Sequence, residues 1–319
     1  VTDHHQDKGD AMSDYSYGDC LQKSYRVNWR IADVVGGRHF DGARRWLPAR
    51  LSAANQIGCL TPSEKVKLTH VEMGAYAHLF GFVEEFIAPK MLTLARDFEI
   101  DQREAFDALT NFAAEEVKHM NLFREVRSCV DGALGFPLAL LPGAPEVARV
   151  VLGKHTGAVL LLTAAIEWLT QLHYLSCFQA DDELDPFTKH IFKSHWLEES
   201  QHARMDHLET LRAYRAMNEA EKDRAIDDLI ELVGAVDGLL QTQARLDVDN
   251  LQACLWRRLG MAERQEIEAA VLAAKRYTFI ESGVTHPNFL ELFGMVTTPA
   301  QQQKVQQALG ALLAPAVAV

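Results

Sequence analysis

Cysteine is sparse, and its pattern is unsuited to a scaffold. Cys20, Cys59, Cys129, Cys177 and Cys254 are odd in number, scattered, and nowhere form a Cys-x-x-Cys pair. This excludes a zinc ribbon or a rubredoxin-type iron site, and it fits a reducing, cytoplasmic compartment better than a disulfide framework. A glycine-rich nucleotide fingerprint is also missing, so a flavin or nicotinamide is not expected on this chain. Positive charge is in deficit, with 32 Lys and Arg against 44 Asp and Glu for a net charge of −12. With no basic stripe to offset it, that balance argues against a nucleic-acid partner. No apolar run is long enough to cross a bilayer. The longest uncharged one, TGAVLLLTAAI at 156–166, is closed by Glu167 and reads as a buried helix. There is no low-complexity tract and no series of alternating strands. The first eleven residues, VTDHHQDKGDA, are polar and lack an initiator Met, so His4 and His5 are set aside from any site.

What the sequence does contain is helical periodicity. Residues 61–98 open with Thr61, Pro62 and Glu64, a capping box with proline in the first turn. They continue as a long helix in which Pro89 should cause a kink or a local widening. Residues 101–132 read as a second helix, stopped by Gly132 and Gly135. The Pro/Gly-rich link GFPLALLPGAP leads to a third helix, expected from about Pro145 to about Ala180. The turn DDELDP then leads to a fourth, from about 186 to 217. Two hairpins joined by a crossover make an all-α four-helix core over about 61–217. Short helices within 20–57 and amphipathic segments at 219–243, 246–258, 262–279 and 298–313 complete a single 1–319 domain. Residues 1–19 are expected to lie outside the fold.

The stretch HWLEESQH, 195–202, places His195, Glu199 and His202 at i, i+4 and i+7, on one helical stripe. The chain contains two Glu-x-x-His motifs, Glu116-Val117-Lys118-His119 and Glu199-Ser200-Gln201-His202. Each lies on the second helix of a hairpin and each is preceded by another glutamate, Glu115 or Glu198. The first helix of each hairpin supplies a glutamate at the matching height. Glu167 lies 32 residues before Glu199, Glu84 lies 32 before Glu116, and Glu85 lies 31 before. Antiparallel helices rising about 1.5 Å per residue bring such positions level. Equal spacing and the apolar stripe Tyr76, Phe80, Val83, Ile87 favour Glu84, whereas Glu85 is followed by an aromatic, as Glu167 is by Trp168. Glu167 interrupts an apolar helix, where an unpaired carboxylate is costly; it should be paired or bound to a cation. Carboxylates and two imidazoles converging from four helices describe a ferritin-like dimetal site, suited to two iron ions with manganese as the alternative. Two such cations about 3.5–4 Å apart can share a bound oxygen species. Glu115 and Glu198 are placed to accept hydrogen bonds from the far nitrogens of ligating histidines. A metal-free bundle with buried Glu–His hydrogen bonds is the non-enzyme alternative.

On these residues the chain resembles the p-aminobenzoate N-oxygenase family of diiron enzymes. The family's extra histidine, seven residues before the last Glu-x-x-His histidine, matches His195 before His202. The resemblance covers about 80–207 and implies metal ligands at Glu84 or Glu85, Glu116, His119, Glu167, His195, Glu199 and His202. Where the family often has Asp before the motif glutamate, this chain has Glu115 and Glu198. The resemblance further implies O₂ activation through a peroxo-diiron intermediate and oxygen transfer to the nitrogen of a small (aryl)amine. Electrons would come from a separate reductase or from peroxide. A homodimer is expected to cover remaining helical surface.

Rival readings are a ferroxidase, against which the extra helices after 218 count, and a ferritin-like enzyme that oxidises carbon. Phe123 stands where a radical-generating reductase subunit would carry tyrosine. Thr163, Thr170, Gln171, Tyr174 and Phe80 are candidate pocket residues, more readily explained as packing or intrahelical hydrogen bonding. His78, His173 and His207 read as bystanders, and Arg44-Arg45 as a solvated face.

Overall fold

A computed structural model describes residues 15–98 and 102–313. Two short helices, α1 (Tyr17–Arg26) and α2 (Ile31–Val35), precede the long helices α3 (Pro62–Ala95) and α4 (Arg103–Leu134). Then come α5 (Ala144–Leu152), α6 (Thr156–His173) and α7 (Pro186–Ala216). The C-terminal part contains α8 (Glu219–Cys254), α9 (Met261–Arg276), α10 (Ser282–Val284), α11 (Pro287–Val296) and α12 (Pro299–Leu313). Among the described residues there is no strand, only an isolated bridge between Arg45 and Leu184. Helices α3 and α4 form one hairpin and α6 and α7 the other, the ferritin-like arrangement.

The ends of these helices follow from local chemistry. Thr61 and Glu64 form the anticipated capping box at the start of α3, which runs on through Pro89. Helix α4 passes Gly132 and stops at Gly135, whose φ of +81° lies in the left-handed region that glycine tolerates. Pro186 occupies the first turn of α7, and Asp185 accepts from the Thr188 amide at 2.9 Å. The apolar helix α6 is long enough, with the turn that follows it, to cross a membrane, but it is buried on nearly all sides at the centre of the bundle.

Several sequence-based boundaries are corrected. The third helix is interrupted at Gly153–His155, where Asp228 of α8 holds the His155 amide at 2.7 Å and the Lys154 ammonium at 3.0 Å. It ends in a π-helical turn, Tyr174–Phe178. Helix α8 is continuous across 243–246, α11 was not anticipated, and α1 begins at Tyr17, within the stretch assigned outside the fold. The remainder of that stretch, residues 1–14, lies outside the described residues.

Helix α8 also anchors the crossover between the hairpins. The Asn250 amide bonds both the N–H and the carbonyl of Ala139, at 2.9 and 2.8 Å, and Gln243 accepts from the Leu141 amide at 3.0 Å. Gln243 in turn donates to Asp247, which forms a buried ion pair of 2.7 Å with Lys275 of α9. Helix α8 thus satisfies backbone groups of the crossover, the buried Leu141 amide among them, and ties the crossover to the C-terminal helices.

Candidate metal centre

Helix α3 contributes Glu84, α4 contributes Glu116 and His119, α6 contributes Glu167, and α7 contributes His195, Glu199 and His202. All seven side chains are buried. Glu199 Oε1 lies 2.9 Å from His119 Nδ1 and 2.6 Å from His195 Nε2, while its Oε2 lies 2.8 Å from His202 Nδ1. Glu116 has the same two-sided placement, Oε1 at 2.8 Å from His202 Nδ1 and Oε2 at 3.9 Å from His119 Nδ1. Glu84 Oε1 is 3.4 Å from His195 Nε2. Two groups of donors result, Glu84, His119, His195, Glu199 and Glu116, His119, Glu199, His202. They share His119 and Glu199; of the two, the carboxylate can reach two cations, whereas the single lone pair of His119 Nδ1 serves one. Glu167 falls outside both groups but faces Glu199, Glu116 and His202 from α6.

The donor set fits a metal pair on a further observation. Both oxygens of Glu116, one oxygen each of Glu84 and Glu167, and Nδ1 of His119 have no hydrogen-bond partner although fully buried. Buried polar atoms are normally satisfied. Here His119 Nδ1 and the Glu199 oxygen are close but misaligned for a hydrogen bond, as expected of donors directed at a common cation.

Support for the histidines is crossed between helices. His119 Nε2–H donates to Glu198 at 2.8 Å, and His202 Nε2–H donates to Glu115 at 2.9 Å. Each acid therefore braces the histidine of the other motif and orients Nδ1 inward. Lys118 pairs with Glu198, and Ser24 of α1 donates to Glu115. Trp29 stacks on His119 at 5.8 Å.

Without a cation the cluster must hold protons. Burial, reinforced by the Glu116 charge, raises Glu84 to about 8, and burial with the Glu199 and Glu116 charges raises Glu167 well above the carboxylate range. Burial also acts to raise Glu199, but His195, His202 and His119 hold it well below. Burial disfavours charged His119 and His202, yet Glu199 and the other carboxylates around them push both well above the ordinary imidazole value.

Glu85 stands outside the cluster, one residue round from Glu84, with Arg124 at 3.4 Å. Thr163 and Thr170 donate to carbonyls of their own helix, both at 3.0 Å. Tyr174 stacks on Trp196, while Phe80 and Phe123 lie edge-on to His195 at 5.4 and 4.9 Å. His78 bonds the Leu141 carbonyl, and Arg45 pairs with Asp181 and Glu183. Sequence reasoning missed Ser24 and Trp29, which reach the site only through tertiary packing. It also missed Asp206, fully buried beside His202 and Glu116; extending the stripe His195, Glu199, His202 by one turn would have found it.

The fold and this cluster define a ferritin-like helical bundle with a buried site for a metal pair. The profile described as P-aminobenzoate N-oxygenase AurF matches residues 49–238, more than half of the chain, and the protein belongs to that family. Among solved structures, one variant of an R2-like ligand-binding oxidase with a non-activated Mn/Mn cofactor is 17% identical, with a TM-score of 0.43, covering 82% of this chain and 93% of that one. Another variant, with an anaerobically reconstituted Mn/Fe cofactor, is 17% identical, with a TM-score of 0.44, covering 88% and 92%. No curated protein matches the chain.

Proposed function

We propose that the protein is a non-haem diiron oxygenase that uses O₂ to oxidise the nitrogen of a small amine, an arylamine being the favoured class. What carries this reading is the pair of two-sided carboxylates, Glu116 and Glu199, with a third imidazole, His195, on the stripe of the last motif. Glu84, His119 and His195 would complete one iron site, and Glu167 and His202 the other, with manganese as the alternative ion. When bound, the metal pair supplies a two-electron route to O₂. The residues would hold the ions and exclude bulk water, and Glu198 and Glu115, by accepting from Nε2–H, would leave Nδ1 of His119 and His202 as the lone pair once a cation displaces its proton. A pocket of about 120 Å³ between α3 and α4 is lined by Gly81, Glu85, Arg124 and Phe123, the last of which neighbours His195. It is the approach we assign to small molecules.

Converting R–NH₂ and O₂ to R–NHOH and water consumes two electrons and two protons, which an external reductase must supply; with hydrogen peroxide in place of O₂ the conversion balances without further electrons. The test is iron loading with metal analysis, followed by reaction with ¹⁸O₂ and an arylamine panel. Label on nitrogen supports the reading. Label on carbon removes nitrogen as the acceptor, and O₂ consumption that oxidises iron but no amine identifies a ferroxidase. His195→Ala should lower iron occupancy and abolish amine oxidation; parental behaviour would remove His195 from the ligand set.

A further inference from the structure

Tyr76, on α3, is buried, and its hydroxyl lies 2.9 Å from His173 Nδ1 at the end of α6. His173 Nε2 lies 2.9 Å from Ser282 Oγ, whose own proton is donated to the Thr278 carbonyl at 2.8 Å. These bonds fix the tautomer. Because Ser282 spends its proton on Thr278, it can only accept from His173. Nε2 therefore carries the ring proton, Nδ1 is a lone pair, and the Tyr76 proton points at it. Burial keeps this imidazole neutral, lowering its pKa to about 3.

The backbone is unusual on both sides. One π-helical turn, Tyr174–Phe178, begins directly after His173, and the other, Tyr277–Glu281, ends directly before Ser282. Such turns are rare and concentrate at functional sites. None of the three residues is a donor in the carboxylate cluster, but an aromatic path leads there. The Tyr76 ring is 4.8 Å from Phe80, and Phe80 is 5.4 Å from His195.

We propose that Tyr76, His173 and Ser282 form a proton-coupled redox relay serving the metal pair. In the loaded protein Tyr76 would give one electron, by way of Phe80, to the metal pair that Glu116, Glu199 and their neighbours would hold, and that pair would take up the one reducing equivalent. The phenol O–H bond breaks and an N–H bond forms at His173 Nδ1, leaving a neutral phenoxyl radical beside an imidazolium. One electron from an external reductant and return of the same proton restore the pair. The geometry matters because an oxidised phenol is a far stronger acid than imidazolium. Without an adjacent lone pair, the positive charge would sit unsolvated in the core. Tyr214 provides the contrast: it is also buried, and its hydroxyl has no partner.

The role of the metal pair as oxidant rests on the function proposed above, but the relay itself can be tested without metal. Metal-free protein carrying Tyr25→Phe, which removes an exposed phenol, is oxidised with photogenerated ruthenium(III) tris-bipyridine, frozen, and read by electron paramagnetic resonance. A phenoxyl signal with the g-shift of a hydrogen-bonded radical is expected. It should vanish in Tyr76→Phe and persist in Tyr214→Phe. Ser282→Ala, which keeps both partners but frees Nε2, should shorten the radical lifetime several-fold. A spectrum and lifetime unchanged by Tyr76→Phe would overturn the proposal. In iron-loaded protein exposed to O₂ without amine, the same signal is expected. O₂ consumption without it would also overturn the proposal, whereas failure to consume O₂ at all would count against the oxygenase reading instead.

Discussion

Glu198 tests the crossed bracing directly. Its carboxylate accepts from His119 Nε2 at 2.8 Å, and both side chains are fully buried. Glu198→Ala leaves that N–H unpaired and frees the ring to rotate or change tautomer, so Nδ1 is no longer held toward the shared donors. Loss of such an outer partner costs about 10–100-fold in metal affinity, or roughly 1.4–2.8 kcal/mol. Lys118, partly exposed, can turn to solvent, so it adds little to the loss. Glu115→Ala should act likewise through His202, and Glu198→Gln, which keeps an acceptor, should cost less. Anaerobic competition between protein and a chelator for Fe(II) or Mn(II) gives the affinities. The same titration should weaken as pH falls, because metal-free His119 and His202 hold protons well above the usual range and Glu84 does so up to about 8. A cation must displace these protons, so binding releases them near neutrality. Two Ala variants that bind within about twofold of the parent would refute the bracing argument.

Away from the centre, Lys275→Met leaves Asp247 charged and buried, and should destabilise the fold by about 3–5 kcal/mol. Thermal denaturation should show that loss reversed in large part by adding Asp247→Leu. Gly283→Ala places a methyl carbon 2.5 Å from the Ala165 carbonyl oxygen. The backbone there cannot yield cheaply, so a lowered melting temperature is expected, equivalent to about 1–3 kcal/mol. Glu72 is fully buried, bonded by Ser52 and the Ala53 amide, and burial raises it from 4.5 to about 7. The folded state binds more protons than the unfolded between those values, so its stability contribution falls as pH rises from 4.5 through 7. Metal-free Glu72→Gln should lose less stability across that window than the parent, measured as melting temperature against pH.

The motif residues were legible because a helix has a fixed period and a fixed rise. Two Glu-x-x-His motifs with glutamates 32 residues upstream can meet only if two antiparallel hairpins face each other, and they do. The ambiguity between Glu84 and Glu85 was beyond sequence reasoning. Adjacent residues differ by one step of rotation, and which of them turns inward depends on how α3 rests on its neighbours. The same holds for the break at Gly153–His155, which depends on Asp228 in a distant helix. Ser24 and Trp29 carry no periodic signal, because Ser24 sits in a ten-residue helix and Trp29 in the link between α1 and α2.

The sequence by itself determined which donors the bundle offers and that they share one height, since both follow from local geometry along the chain. Only the tertiary structure decided which acid braces which histidine, that Glu116 and Glu199 face both donor groups, and that Tyr76 meets His173 and Ser282. Those pairings join helices far apart in the chain, and their relative rotation is set by side-chain packing that no local pattern encodes.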